Sequence, residues 1–292
     1  MIEQKAINLP FVETISRSFM YTLCNWELFL KIVSVGLVVV LLEMFIGFPI
    51  LCSLSEGTCP EDGWQTLSGL VIFLVSIGMI VNYCRVVILK APLDFLSRGF
   101  FRRVLKYFLA TLVLGFTVVM PFVLLTFIYV IVIGILGGTF ADKDILLPLM
   151  FIAIIAWSVY LAPVFLILPA ITVDDKSVTV YEAFTLTKGN YNKIFWGQVV
   201  MAIPGTILLY LLAFLYQAVG VEGYLLKVLF TMMVLGLSFM DSCFKASFIA
   251  HIYQYFIFYK NKQVRMMTLT QSEPAQTKPL VKRKPARKRP LK

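Results

Sequence analysis

An ionisable or amide side chain inside an apolar run must be paired, wetted or used. The runs of this sequence hold Lys31, Glu43, Asn82, Arg85, Gln198, Lys227, Asp241, Lys245 and His251. At membrane depth such groups mark ion paths, proton relays or helix–helix pairs. Lys31, Arg85 and Lys227 stand near run ends, where long side chains snorkel to the interface. Glu43 stands nearer mid-run and calls for a partner or a wet cavity. Asp241 and Lys245 are four apart, on one helical face, and can pair. His251 follows nearly three turns on and shares that side, which allows either a proton path or a closed ion pair with a histidine at its edge. Glu43, Asn82, Asp241 and Lys245 are therefore the candidate intramembrane polar cluster.

Catalytic patterns are missing. His251 is the sole histidine, which excludes two-histidine zinc motifs. No G-x-S-x-G elbow, phosphate-cradling G-x-x-x-x-G-K-[ST] loop or dinucleotide fingerprint occurs. The expectation is a non-enzymatic chain with no cofactor and no metal. A membrane-embedded enzyme would need a water-accessible cluster around His251.

The elements that must position these groups follow from composition. Of 292 residues 60% are hydrophobic and only 14% charged, against about 25% charged in soluble domains. Apolar runs near 29–53, 66–90, 107–138, 145–172, 195–220 and 223–258 each reach membrane-spanning length. The third and sixth exceed what a bilayer needs and are expected to tilt or protrude. Pro121, Pro163, Pro169 and Pro204 fall within runs and free backbone carbonyls there. The reading is an all-α polytopic membrane protein of about six transmembrane helices, with short amphipathic interfacial helices. Its parts are an N-terminal segment (1–28), a membrane domain (29–260) and a disordered basic tail (261–292). Residues 1–28 are polar and mixed in charge, so no cleavable signal peptide is expected.

Lys and Arg alternate between loops. The segments near 54–65 and 220–223 have none, and that near 139–144 has only Lys143. The intervening segments carry Lys90, Arg98, Arg102, Arg103 and Lys106, then Lys176, Lys188 and Lys193. The tail 261–292 adds ten Lys or Arg against one acid, Glu273. The positive-inside rule then places both termini in the cytoplasm.

Residues 91–108, APLDFLSRGFFRRVLKYF, interleave aromatic and basic side chains in the manner of a headgroup layer. Residues 174–196 read as a short helix. Thr179 and Glu182 have capping-box spacing, Val180, Ala183, Phe184 and Thr187 share one side, and Gly189 or Asn190 supplies the stop. Tyr191 and Trp196 sit where interface anchors belong. From 268 on, Pro and basic residues leave too few apolar groups to offset ordering entropy. Arg98, Arg102, Arg103, Lys282, Arg283, Lys284, Arg287, Lys288 and Arg289 are the candidate membrane-surface contacts. Anionic lipid is the expected partner, a membrane protein a second, and nucleic acid is disfavoured. Five cysteines fit no metal spacing; Cys52 and Cys59 flank a loop and can pair in an oxidising space, or serve with the rest as small apolar fillers.

Residues 160–200 carry a further pattern. A span ends at Pro169 and Asp174; a helix follows with Glu182-Ala183, Thr185 and Leu186-Thr187; Gly189 and Asn190 precede the next span. This resembles the YciC-like bacterial inner-membrane family, related to the membrane domain of glycerophosphoryl diester phosphodiesterase. Thr185 stands where the family has serine. The resemblance implies six helices in a bacterial cytoplasmic membrane. It carries over no catalytic residues, because the phosphodiesterase activity belongs to a separate soluble domain. The basic tail lies outside the pattern. The functional expectation is a lipid- or protein-organising envelope component; the rival is a small-solute or lipid transporter using the polar cluster.

Overall fold

The computed structural model describes residues 8–42, 45, 61–135, 143–219 and 224–272. Among them there is no strand. The helices are α1 (Phe11–Cys24), α2 (Trp26–Leu42), α3 (Glu61–Leu89), α4 (Arg98–Ile135), α5 (Lys143–Leu161), α6 (Ile167–Thr172), α7 (Val180–Leu186), α8 (Tyr191–Val219) and α9 (Tyr224–Ser272). Among the described residues five helices are long and apolar enough to cross a membrane, or six if α1 and α2, bent by 71°, count as one span. The protein is an all-α polytopic membrane protein. In lipid every backbone N–H and C=O must be satisfied within the segment, which leaves apolar runs of this length no form but the helix.

The body of the bundle ends at Phe256. In the second unit, from Ile257, the described residues 257–272 are helical. Residues 261–272, expected within the disordered tail, are thus the end of a helix. The rest of the tail, Glu43, and the Cys52–Cys59 pair lie outside the described residues.

Helix α3 is the central element. One side packs Met79, Tyr83, Cys84 and Val87 against Ile32 and Val40 of α2 and Phe239, Cys243 and Ala246 of α9. The other packs Ile77 and Val81 against Phe100, Tyr107 and Leu114 of α4 and Leu161 and Leu168 of the fourth run. Cys84 and Cys243 are buried fillers, as their composition suggested. Helix α4 instead turns Leu112, Val113, Phe116 and Phe127 outward, the apolar exterior a bilayer requires.

The fourth run is not one helix. A 3-10 turn, Ala162–Leu166, joins α5 to α6, with Pro163 in its first turn, where the missing N–H is least costly. The chain leaves α6 through Asp174 at φ 56°, a left-handed position that a short polar side chain tolerates. Thr179 caps α7 as its spacing predicts, its Oγ1 accepting from the Glu182 N–H at 3.3 Å. Ala183 and Thr187 are buried, but Val180, expected beside them, is 52% exposed. Gly189, at φ 83°, makes the turn into α8.

The N-terminal segment, expected only as polar and mixed in charge, holds a docked helix. Thr14, Ser18 and Thr22 recur every fourth residue and are buried. Val12, Met20 and Leu23 are exposed. Glu13 and Arg17 pair on the outside at 3.2 Å. Helix α1 therefore has three sectors: hydroxyls against the bundle, hydrocarbon outward and charges between. Each buried hydroxyl bonds back to the carbonyl four residues earlier, Pro10, Thr14 and Ser18 in turn.

Candidate functional site

Four distant segments meet at one end of the bundle. The Leu9 N–H donates to Asn190 Oδ1 (2.9 Å), Tyr255 donates to the Asn8 carbonyl (2.9 Å), Tyr253 donates to Asp175 (2.5 Å), and Arg103 reaches both Asp94 and Asp174. The N-terminal residues, both basic loops and the late turns of α9 thus share an end. The charge alternation demanded the same parity.

The centre of this end is a polar node around Asp94. Its carboxylate accepts from the Ser97 N–H (3.1 Å) and hydroxyl (2.5 Å), and Ser97 Oγ in turn accepts from the Phe100 N–H (3.0 Å). Ser97 is therefore the cap of α4, and Asp94 holds the cap. Arg103, one turn into α4, folds back to place Nη2 3.2 Å from Asp94 Oδ2 and Nη1 3.4 Å from Asp174 Oδ2. Gly99 leaves room for that fold, since a Cβ there would stand 3.1 Å from Arg103 Nη1, a contact the guanidinium would relieve by a small shift. Lys106 adds a contact to Asp174 at 3.6 Å. From α3, Arg85 points Nη1 at Asp94 Oδ2 (3.6 Å), and Asn82 Oδ1 accepts the Asp94 N–H (3.2 Å).

Two donors in this node have no acceptor, Asn82 Nδ2 and Arg103 Nε, and a third, Arg85 Nη1, has only Asp94 Oδ2 at 3.6 Å; all are enclosed. A buried donor left unmatched costs about 1–3 kcal/mol, more when it is charged.

The Ser97 hydroxyl first, then the Arg103 and Arg85 guanidiniums, hold the Asp94 carboxyl below the ordinary carboxylate range. A carboxyl whose folded pKa is depressed stabilises the fold fully above its unfolded pKa, and that contribution is lost as pH falls through the folded value. The fold should therefore lose thermal stability on acidification through the carboxylate range. Asp94→Asn should start lower at neutral pH and fall less steeply. Melting curves of both proteins in detergent between neutral and acid pH read this directly; parallel curves would remove Asp94 as the titrating group.

A second polar seam runs under α1. The His251 Nδ1–H donates to the Ser247 carbonyl (2.8 Å), and Ser18 Oγ stands 3.3 Å from the same nitrogen. Ser247 donates to the Ser18 carbonyl (3.1 Å), and Thr22 meets the Tyr83 hydroxyl at 2.7 Å. His251 is 9% exposed, so the seam is a buried clasp between α1, α3 and α9.

Deeper in the bundle, Lys245 bonds Asp241 on its own helix (2.5 Å), as the four-residue spacing predicted. Gly205 of α8 abuts this pair: a Cβ there would come within 2.5 Å of Asp241 Oδ1, which itself has no hydrogen-bond partner. Asp241 is twelve residues before Tyr253, roughly 18 Å along the helix.

The expected clusters regroup accordingly. Asn82 belongs to the node and not with Asp241 and Lys245, because its side chain faces the loop that carries Asp94. Arg103, expected as a membrane-surface contact, is 9% exposed and turned into ion pairs, because two carboxylates offer it better partners than headgroups would. Arg98 and Arg102 are exposed as expected. Lys282, Arg283, Lys284, Arg287, Lys288 and Arg289 lie outside the described residues. Asp94, Arg85, Asp174, Asp175 and Tyr253 were not foreseen as a group. The local hint was Asp94 three residues before Ser97, a turn-and-cap spacing at the start of a basic helix.

Compared with protein-family models, curated proteins and solved structures, the chain matches none.

Proposed function

We propose that this protein is a non-enzymatic component of a bacterial cytoplasmic membrane, of the YciC-like kind, with both termini in the cytoplasm. It gathers anionic lipids, or a membrane partner held through them, against its basic end. The observation that carries this reading is the convergence of both basic loops at one end of the bundle, with Arg98 and Arg102 exposed there. The tail adds Lys282, Arg283, Lys284, Arg287, Lys288 and Arg289 to the same chemistry. Each Lys or Arg near an anionic surface contributes about 1 kcal/mol, so even a solvated tail suffices.

Transport through the polar cluster is the weaker reading. Lys245 spends its charge on a neighbour one turn away, and Asn82 serves a different region.

The test is capture of anionic vesicles. Full-length protein in neutral-lipid nanodiscs should bind phosphatidylglycerol vesicles, and a chain ending at 267 should bind several-fold fewer at about 0.1 M salt, with the difference shrinking as salt screens it. Equal capture by both chains in a flotation assay would set the reading aside.

A further inference from the structure

We propose that the node at Asn82, Arg85 and Arg103 is a binding site for one phosphate group, presented by an anionic phospholipid or by free phosphate. In naming a lipid as the source the inference rests on the membrane-surface function above; in naming the phosphate group it rests on the node alone.

The argument starts from an imbalance. The enclosed atoms without a hydrogen bond here are all donors: Asn82 Nδ2, Arg103 Nε, and Arg85 Nη1, which has only the 3.6 Å ion pair with Asp94. All three side chains surround the same residue, Asp94. Asn82 is 1% exposed and Arg103 9%, so bulk water does not complete them. Charge is unbalanced in the same sense. Arg85, Arg103 and Lys106 face the carboxylates of Asp94 and Asp174, three cations against two anions. Asp94 is engaged by Ser97 as well as by the guanidiniums.

The missing group is therefore an acceptor, and an anionic one. A carbonyl or a single water would answer at most two donors and leave the surplus charge. A tetrahedral oxyanion accepts from several directions at once and matches guanidinium geometry. The surroundings fit a headgroup: Leu96 (88% exposed) and Phe101 (59% exposed) flank the node in sequence, the mixture of hydrocarbon and charge found at the acyl boundary. The side chains of Asp174 and Lys106 are 50% and 40% exposed, which leaves the node a route to the surface.

The experiment is native mass spectrometry of the full-length protein in neutral detergent, with phosphatidylglycerol or inorganic phosphate as probe. Wild type should retain one phosphatidylglycerol. Arg85→Gln should lower its occupancy about tenfold, as expected for one lost charge-assisted bond. Asp94→Asn removes the competing carboxylate and should raise occupancy. An unfolded variant cannot imitate that rise, so the opposite signs separate binding from folding. Lys31→Gln, an exposed change on α2 outside both basic loops, should leave occupancy alone. Retention of inorganic phosphate with the same pattern, but no lipid, would keep the site and assign it to a soluble source. No singly bound species with either probe, or equal occupancy in wild type and both node variants, would overturn the proposal, even if the tail still captured vesicles.

Discussion

Gly197→Ala should be the most damaging single methyl among the described glycines, destabilising the fold by about 3 kcal/mol or more, at or beyond the upper end of ordinary overpacking. A Cβ at 197 would stand 1.9 Å from Phe248 Cζ, with two further ring atoms inside 3 Å. Phe248 is fully buried and has nowhere to move. Eight residues on, a Cβ at Gly205 would stand 2.5 Å from Asp241 Oδ1. Met201, between them on the same face, is fully buried. At two levels, then, a glycine of α8 takes a side chain of α9 against it, the Phe248 ring at one and the Asp241 carboxylate at the other, the arrangement small residues permit at a helix–helix contact in lipid. Thermal unfolding in detergent measures the loss, and Phe248→Ala supplies the control. Alone it should destabilise by about 3–5 kcal/mol through its cavity, yet in combination with Gly197→Ala the two should sum to far less than their separate effects. Strict additivity would mean the two side chains do not meet.

Arg103→Ala should rank second, at about 3–5 kcal/mol, the range for breaking a buried ion pair from one side. The guanidinium is 11% exposed and pairs with Asp94 and Asp174. Most of the loss should come through Asp94, since Asp174 is 50% exposed and water can replace its partner. Arg103→Lys should recover little, because one ammonium cannot bridge two carboxylates held by separate nitrogens. Adding Asp94→Ala to Arg103→Ala should restore stability relative to the arginine variant. Denaturant midpoints of the three variants decide this. A midpoint for Arg103→Ala equal to wild type would mean the pairing contributes nothing.

What could be read from sequence here was whatever depends on neighbours in the chain. The six apolar runs, the Thr179 cap, the turn at Gly189 and the Asp241–Lys245 pair all follow from spacing within a helix or a turn. The parity of the basic loops was legible too, because membrane topology counts crossings without asking which helices touch. Arg103 could not be placed. It sits in a run of exposed arginines, and only the meeting of residues 94 and 174 makes it a buried ion-pair bridge. Asn82 was grouped by depth with Asp241, although depth alone does not say which helix a side chain faces. Gly197 carried no signal, since a glycine's tolerance matters only once Phe248 is known to lie across from it. The hydroxyl face of α1 was hidden for a related reason. Thr14, Ser18 and Thr22 read as a soluble surface until His251, Ser247 and Tyr83 are brought beneath them.

The three-sector helix α1 sets a condition on how the chain is made. Its anchors are synthesised late: Asn190 comes 181 residues after Leu9, and Tyr255 247 residues after Asn8. At about 5–20 residues per second a ribosome needs roughly 10–50 s to cover that interval. Throughout it the N-terminal helix lacks its anchors on α8 and α9, although Tyr83 of α3, the partner of Thr22, is made early. Its outward Val12, Met20 and Leu23 give it the bilayer surface as an interim berth, while its hydroxyls stay satisfied by their own backbone. The clasp with His251 and Ser247 then closes only when α9 arrives, so a helix made early is among the last to be locked.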